Sequence, residues 1–111
     1  MGMTYIIGKE KKLSDEILLT INVNSTVDVY ISSLISYLFE KSYPDIYEQI
    51  VEQIIFMRFD ELSKQDFHFI IDQINRLSSS LDYLPDDVKN GIYWWNKLIK
   101  PLVDRDYRIV L

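Results

Sequence analysis

The sequence predicts an α+β domain that is mainly helical, with about four helices and a small β-sheet formed by N-terminal and C-terminal strands. Three observations predict this class. Apolar residues recur every three or four positions through the middle of the chain, an alternating segment lies near the N-terminus, and β-prone residues close the sequence. With 111 residues and a hydrophobic content of 48%, the chain fits a single domain over residues 1–111.

The predicted sheet depends on three short segments. Residues 4–7 are β-prone, and we expect this first strand to stop at Gly8. Residues 17–23 place apolar side chains at every second position, which favours a half-buried strand. Residues 107–111 supply the C-terminal strand. If residues 17–23 were helical instead, the fold would be a purely helical bundle, and this alternative stays open.

Two helices are expected in the first half of the helical region. Ser25 or Thr26 can cap the first helix, whose apolar stripe covers residues 27–38. This helix should end before Pro44, because proline suits the first turn of the next helix. The apolar face of the second helix covers residues 46–57.

Two more helices follow. Ser63 and Asp66 resemble a capping box at the start of the third helix, which should end at the three serines of residues 78–80. Pro85 opens the fourth helix, and Pro101 is expected to kink or terminate it.

The composition lacks residues on which most catalytic mechanisms depend. The chain has no cysteine, so disulfides, thiolate nucleophiles and cysteine-based zinc sites are excluded. The single histidine, His68, excludes any site that needs two imidazoles, and its place beside an apolar stripe is typical of a structural histidine. Gly8 and Gly91 are isolated, which excludes a glycine-rich phosphate loop.

Paired carboxylates are the remaining candidates for chemistry. Glu48 and Glu52 could act as acid and base, but they lie opposite the predicted apolar face. Asp86 and Asp87 could hold a hard cation, but two acids at a helix start are typical partners of the helix dipole. We therefore expect a protein that is not an enzyme and has neither a cofactor nor a metal.

The charge indicates which partners are compatible. A formal charge of −5 and a pI near 4.7 disfavour nucleic acid and anionic membranes as partners. The sequence has neither an 18-residue uncharged apolar run nor a recognisable signal peptide, so a cytoplasmic location is expected. Residues 13–88 carry −10, whereas residues 1–12 carry +2 and residues 89–111 carry +3. This concentration favours a basic protein partner, although solubility alone would also account for it.

Aromatic residues outside the apolar stripes point to a contact surface. Phe69 and Tyr93 lie away from the predicted core faces of their helices. The segment of residues 82–87 combines three carboxylates with a tyrosine and a proline, although helix-start acids with an apolar staple would also explain it. The predicted partner-binding residues are Phe69, Asp72, Asp82, Tyr83, Asp86, Asp87 and Tyr93.

The whole-chain profile resembles small acidic immunity proteins that neutralise bacterial toxins, including those of contact-dependent inhibition and related polymorphic toxin systems. Small size, negative charge, tyrosine- and aspartate-rich loops and the missing catalytic set carry the resemblance, and it assigns no residue roles. It implies an antidote that binds a basic toxin domain, often a nuclease, and occludes its active site. The alternative is a small regulatory or assembly subunit that acts through homo- or hetero-oligomeric contacts. The oligomeric state stays open.

Overall fold

Three strands and five α-helices lie within the residues that the computed structural model describes, which are residues 2–52 and 56–109. The strands are β1 (Met3–Lys12), β2 (Asp15–Val23) and β3 (Phe56–Arg58). The α-helices are α1 (Ser25–Ile35), α2 (Pro44–Val51), α3 (Lys64–Ser78), α4 (Asp86–Trp94) and α5 (Lys100–Val103). A π-helical turn, Ser36–Glu40, extends α1, and a second, Trp95–Ile99, joins α4 to α5. The predicted α+β class is confirmed.

The sheet has the strand order β2-β1-β3. β1 and β2 form an antiparallel hairpin, and β1 pairs with β3 in parallel. The register shifts between Ile6 and Gly8, so β1 does not stop at Gly8 but passes through a bulge and continues to Lys12. Residues 17–23 are strand, as predicted, and the helical-bundle alternative is therefore wrong.

The predicted C-terminal strand is wrong over the part of it that is described. Tyr107, Arg108 and Ile109 form turns. The backbone N–H of Tyr107 donates to the carbonyl of Lys9 in β1 at 2.9 Å, but the next two N–H groups bond within the segment. The backbone N–H of Ile109 donates to the carbonyl of Asp106 at 3.0 Å, and that of Arg108 donates to the Asp106 carboxylate at 2.8 Å. Val110 and Leu111 lie outside the described residues. The third strand of the sheet is β3 instead.

The second helix is shorter than predicted, since α2 ends at Val51 and β3 begins at Phe56. Met57 of β3 is buried beside Tyr5 of β1, its partner in the parallel ladder. A short apolar run can fit either a buried strand or a helix face, which explains the error. Residues 53–55, which the prediction also placed in this helix, lie outside the described residues.

Side-chain caps set the starts of two helices. The side chain of Asn24, rather than Ser25 or Thr26, caps α1 by accepting from the backbone N–H of Val27 at 2.9 Å. Ser63 caps α3 as predicted, because its Oγ accepts from the N–H of Asp66 at 3.1 Å. The last helical segment does not end at Pro101 but continues to Val103.

The core lies where the helices pack on one another and on the sheet. α1 and α4 cross so closely that a Cβ added at Gly91 would lie 2.4 Å from the carbonyl oxygen of Tyr30. Phe59 is fully buried and packs edge-on against Trp95, with ring centroids 5.6 Å apart. The close approach at Gly91 fixes α1 relative to α4, and these two helices form the site described next.

Candidate functional site: an acidic groove

Most carboxylates of the helical region have no cationic partner. Within residues 2–52 and 56–109, the ion-paired acids are Glu10, Glu16, Asp60, Glu61, Asp104 and Asp106. In the same part of the chain, the acids between α1 and α4 without an ion pair are Asp28, Glu40, Asp45, Glu48, Glu52, Asp66, Asp72, Asp82, Asp86 and Asp87. The excess negative charge is therefore available to an external cation.

Most lysines and arginines in residues 1–12 and 89–111, by contrast, have a carboxylate partner, and Lys89 and Lys97 are the exceptions among the described residues. Lys9 lies 3.4 Å from Glu16, and Arg105 lies 2.8 Å from Glu10. This contact lowers the pKa of Glu10, chiefly through the hydrogen bond from Arg105. In the described residues, therefore, more carboxylates than cationic groups are without an ion pair.

Two of these unpaired acids meet in a groove between α1 and the start of α4, which we call the acidic groove. Asp28 lies on its α1 side and Asp87 on its α4 side. Val29, Tyr37 and Tyr47 add apolar and phenolic surface, and three serines of α1 and its π-helical extension add hydroxyl groups. No lysine or arginine lies among the residues found to line the groove. Its donors and acceptors therefore suit a cationic ligand.

Asp28 is held in place from within the core. Its Oδ1 accepts a hydrogen bond from the Tyr5 hydroxyl at 2.8 Å and another from Ser32 Oγ at 3.2 Å. Burial raises the pKa of Tyr5 above its ordinary value, and the hydrogen bond to Asp28 raises it further. Tyr5 thus stays protonated and keeps donating, so the carboxylate has a fixed position.

The α3–α4 connection continues this acidic surface. A 3₁₀ turn, Leu81–Tyr83, leaves the Tyr83 side chain 92% exposed, whereas Leu84 is buried and anchors the connection. Pro85 then stands at the N-cap of α4, with Asp86 and Asp87 in the first turn, where the helix dipole favours negative charge. The predicted contacts Asp82, Tyr83, Asp86 and Asp87 are therefore all exposed and lie on either side of the buried Leu84.

Phe69 and Asp72 belong to a different groove, between α2 and α3, which we call the aromatic groove. Phe69 packs edge-on against Tyr43 with ring centroids 4.8 Å apart, and Ile46 adds apolar surface. Asp72 lies at the same groove. Neither residue lines the acidic groove, so the structure does not bring these two predicted contacts together with Asp87.

Tyr93 is 55% exposed on α4, two turns after Asp86, so both residues lie on one face of this helix. Its ring contacts Trp94 edge-on, and Lys97 Nζ lies 3.4 Å from its hydroxyl. A lysine rather than a carboxylate therefore accompanies this aromatic pair.

Sequence reasoning missed Val29 and Tyr37, two exposed residues of the acidic groove. Both lie outside the apolar stripe predicted for the first helix, just as Phe69 lies outside the stripe of the third. The same criterion, applied to the first helix, would have found them.

His68 is half-buried, and its Nε2 donates to the carbonyl oxygen of Arg108 at 2.8 Å. This bond fits a structural histidine that ties α3 to the C-terminal turns. In the described part of the chain, no group of three or more histidine, aspartate or glutamate side chains is placed to hold a metal ion. The helices of that part are also too short or too polar to cross a membrane.

No protein-family model, curated protein or solved structure matches this chain. A functional proposal therefore depends on the chemistry of the grooves themselves. Carboxylates beside tyrosines favour lysine and arginine ligands, because a charge-assisted hydrogen bond can form next to an aromatic surface.

Proposed function

We propose that this chain is a non-enzymatic inhibitor that binds a basic partner protein through the acidic groove and the adjoining residues 82–87. The observation that supports it is the set of unpaired carboxylates, Asp28 and Asp87 in the groove and Asp82 and Asp86 beside it. In this proposal the chain is an immunity protein, and its partner is a toxin domain such as a nuclease. Its carboxylates would occupy positions where nucleic-acid phosphates bind the toxin.

The groove has the chemistry of an interface centre with a charged rim. Tyr37 and Tyr83 are exposed aromatic side chains of the kind that supply anchors in protein interfaces. The neighbouring carboxylates can each accept hydrogen bonds from a guanidinium or ammonium group. Aromatic anchors and cation acceptors thus lie within one surface.

The groove is also preorganised, which lowers the entropic cost of binding. Its two walls, α1 and α4, are locked together at Gly91, and Asp28 is bonded to Tyr5. Its negative field would accelerate encounter with a basic protein at low salt, and this acceleration should decline as salt screens the charges.

The decisive experiment uses the gene next to the one that encodes this chain. If it encodes a protein with a basic C-terminal domain, that domain should arrest growth when expressed alone, and coexpression of this chain should restore growth. Binding of the purified pair is then measured by calorimetry at several salt concentrations. Growth arrest without rescue, or the absence of binding at low salt, contradicts the proposal.

A pair of matched variants tests the site. Asp86→Asn with Asp87→Asn removes two first-turn carboxylates, one in the acidic groove and one beside it, and we expect Kd to rise about tenfold or more. Asp45→Asn with Asp66→Asn removes two first-turn carboxylates of α2 and α3, and Kd should change little. If the second pair weakens binding more than the first, the contact surface lies at the aromatic groove and the site assignment is wrong.

A further inference from the structure

β2 is an edge strand whose outer side is unpaired. In the order β2-β1-β3, one side of β2 pairs with β1, and none of the described residues forms a strand on the other side. Apart from the ladder with β1, no backbone hydrogen bond within the described residues reaches residues 17–23 of this strand. Its outward N–H and C=O groups are therefore available to another strand.

The sequence of β2 does little to prevent such pairing. Residues 17–23 read Ile-Leu-Leu-Thr-Ile-Asn-Val, without a charge, a proline or a glycine. Exposed edges are usually protected by lysine, proline or a bulge, but the bulge of this hairpin lies in β1. The adjacent residues Ile17 and Leu18 are 44% and 49% exposed, so both faces of the strand leave apolar surface in water.

We propose that β2 pairs antiparallel with β2 of a second copy of this chain, about a two-fold axis at Thr20. The two three-stranded sheets then form one continuous sheet of six strands. In this register Ile17 lies opposite Val23 of the second copy, so apolar side chains meet each other. Thr20 lies opposite its own counterpart, and facing threonines are a favourable cross-strand pair.

The charges of β2 favour a second copy in this orientation. The only charged residues of the strand, Asp15 and Glu16, stand at its beginning. Antiparallel pairing places each Glu16 opposite the uncharged Asn24 and separates the two Glu16 residues by about 26 Å, whereas parallel pairing would bring them together. A strand from a basic partner would find no carboxylate along residues 17–23.

Cross-linking tests the register directly, because the chain contains no cysteine. In the Thr20→Cys variant the two thiols face each other across the axis, and we expect rapid formation of a disulfide-linked dimer under mild oxidation. In the matched Asp15→Cys variant the thiols lie about 33 Å apart, and no such dimer should form. Equal cross-linking of both variants contradicts the proposed pairing.

Sedimentation of the full chain tests the association itself. We expect the wild type to shift from monomer to dimer between about 1 and about 200 µM. Leu18→Lys with Thr20→Lys places like charges along the shared edge and should keep the chain monomeric. Asn75→Lys with Asn96→Lys adds the same charge at exposed helical positions and should leave the dimer intact.

Several results would overturn this inference. The first is that the wild type stays monomeric over the whole concentration range. The second is that the dimer persists when β2 carries the two lysines. The third is that the β2 amides resist hydrogen exchange only when a different protein is bound. The inference does not depend on inhibition of a basic partner. The Asp86 and Asp87 variants test that function without altering β2, so the two proposals can fail separately.

Discussion

At the scale of single residues, Arg108 shows how a charge can be buried without an unsatisfied donor. Its guanidinium group has five N–H donors, and acceptors lie within bonding distance of all of them. Two donate to the Asp106 carboxylate at 2.8 and 3.0 Å. The others donate to the carbonyl oxygens of Phe59, Leu62 and Ile7 at 2.8 to 2.9 Å. This one side chain therefore joins β1, the β3–α3 connection and the C-terminal turns.

Gly8 makes room for this network. The backbone N–H of Lys9 donates to Asp106 Oδ2 at 2.9 Å, and a Cβ at Gly8 would lie 1.5 Å from the same oxygen. Only a residue without a side chain lets the carboxylate approach the bulge in β1. The glycine that the sequence marked as a strand end is thus a contact point inside the strand.

Removing the negative charge of the Asp106 carboxylate should destabilise the fold strongly. Asp106→Asn leaves a buried guanidinium without its counter-ion, so we expect the free energy of unfolding to fall by about 3–5 kcal/mol. Asp104→Asn is the matched control, because its exposed pair with Lys100 should contribute at most about 1 kcal/mol. Urea unfolding measures both. Similar losses for the two variants would show that the buried pair contributes no more than a surface one.

The raised pKa of Tyr5 leads us to expect a loss of stability at alkaline pH. Burial, with the hydrogen bond to Asp28, raises the pKa of Tyr5 in the folded chain above its ordinary value of 10.0. The resulting stabilisation is complete below pH about 10 and decreases as the pH rises further, because only the unfolded chain then releases the proton. The unfolding free energy of the wild type should therefore fall more steeply above this pH than that of Tyr5→Phe. Tyr83→Phe, which alters an exposed tyrosine, should keep the wild-type slope.

At the scale of elements, the contact between α1 and α4 is set by the absence of a side chain at Gly91. A methyl group there would lie 2.8 Å from the Cβ of Leu34 and even closer to the Tyr30 carbonyl. Gly91→Ala raises helix propensity by about 1 kcal/mol, but overpacking costs about 1–3 kcal/mol. We expect net destabilisation in urea unfolding, whereas Asn90→Ala, at an exposed neighbour, should be neutral or stabilising. A Gly91→Ala protein at least as stable as the wild type would mean that the helices separate without cost.

The elements that the sequence predicted well are those with both periodicity and a cap. α3 has an apolar stripe and Ser63, and its start and its end at the three serines are confirmed. The region around Met57 has neither a cap nor alternation, so its pairing with β1, which is distant in sequence, could not be predicted. The C-terminal segment is β-prone by composition, but the side chains of Asp106 and Arg108 hold it in turns.

At the scale of the whole molecule, the sequence predicted how much negative charge there is better than where it lies. Asp82, Tyr83, Asp86 and Asp87 are all exposed, and their closeness could be predicted because they are neighbours in the sequence. Phe69 and Asp72 were assigned to the same surface, but they line the aromatic groove with Tyr43. A helical wheel shows that a residue leaves its own core stripe, but not which neighbouring helix it then faces.

Arg108 also affects when the molecule can become complete during its synthesis. The bond between Arg108 and Ile7 joins residues that are 101 positions apart, and closing such distant contacts is slow. During synthesis on the ribosome, the carbonyl groups of Ile7, Phe59 and Leu62 have no bond to the Arg108 guanidinium until residue 108 has been translated. β1 and the β3–α3 connection are thus made before the side chain that joins them, and a nascent chain that ends before residue 108 lacks these bonds.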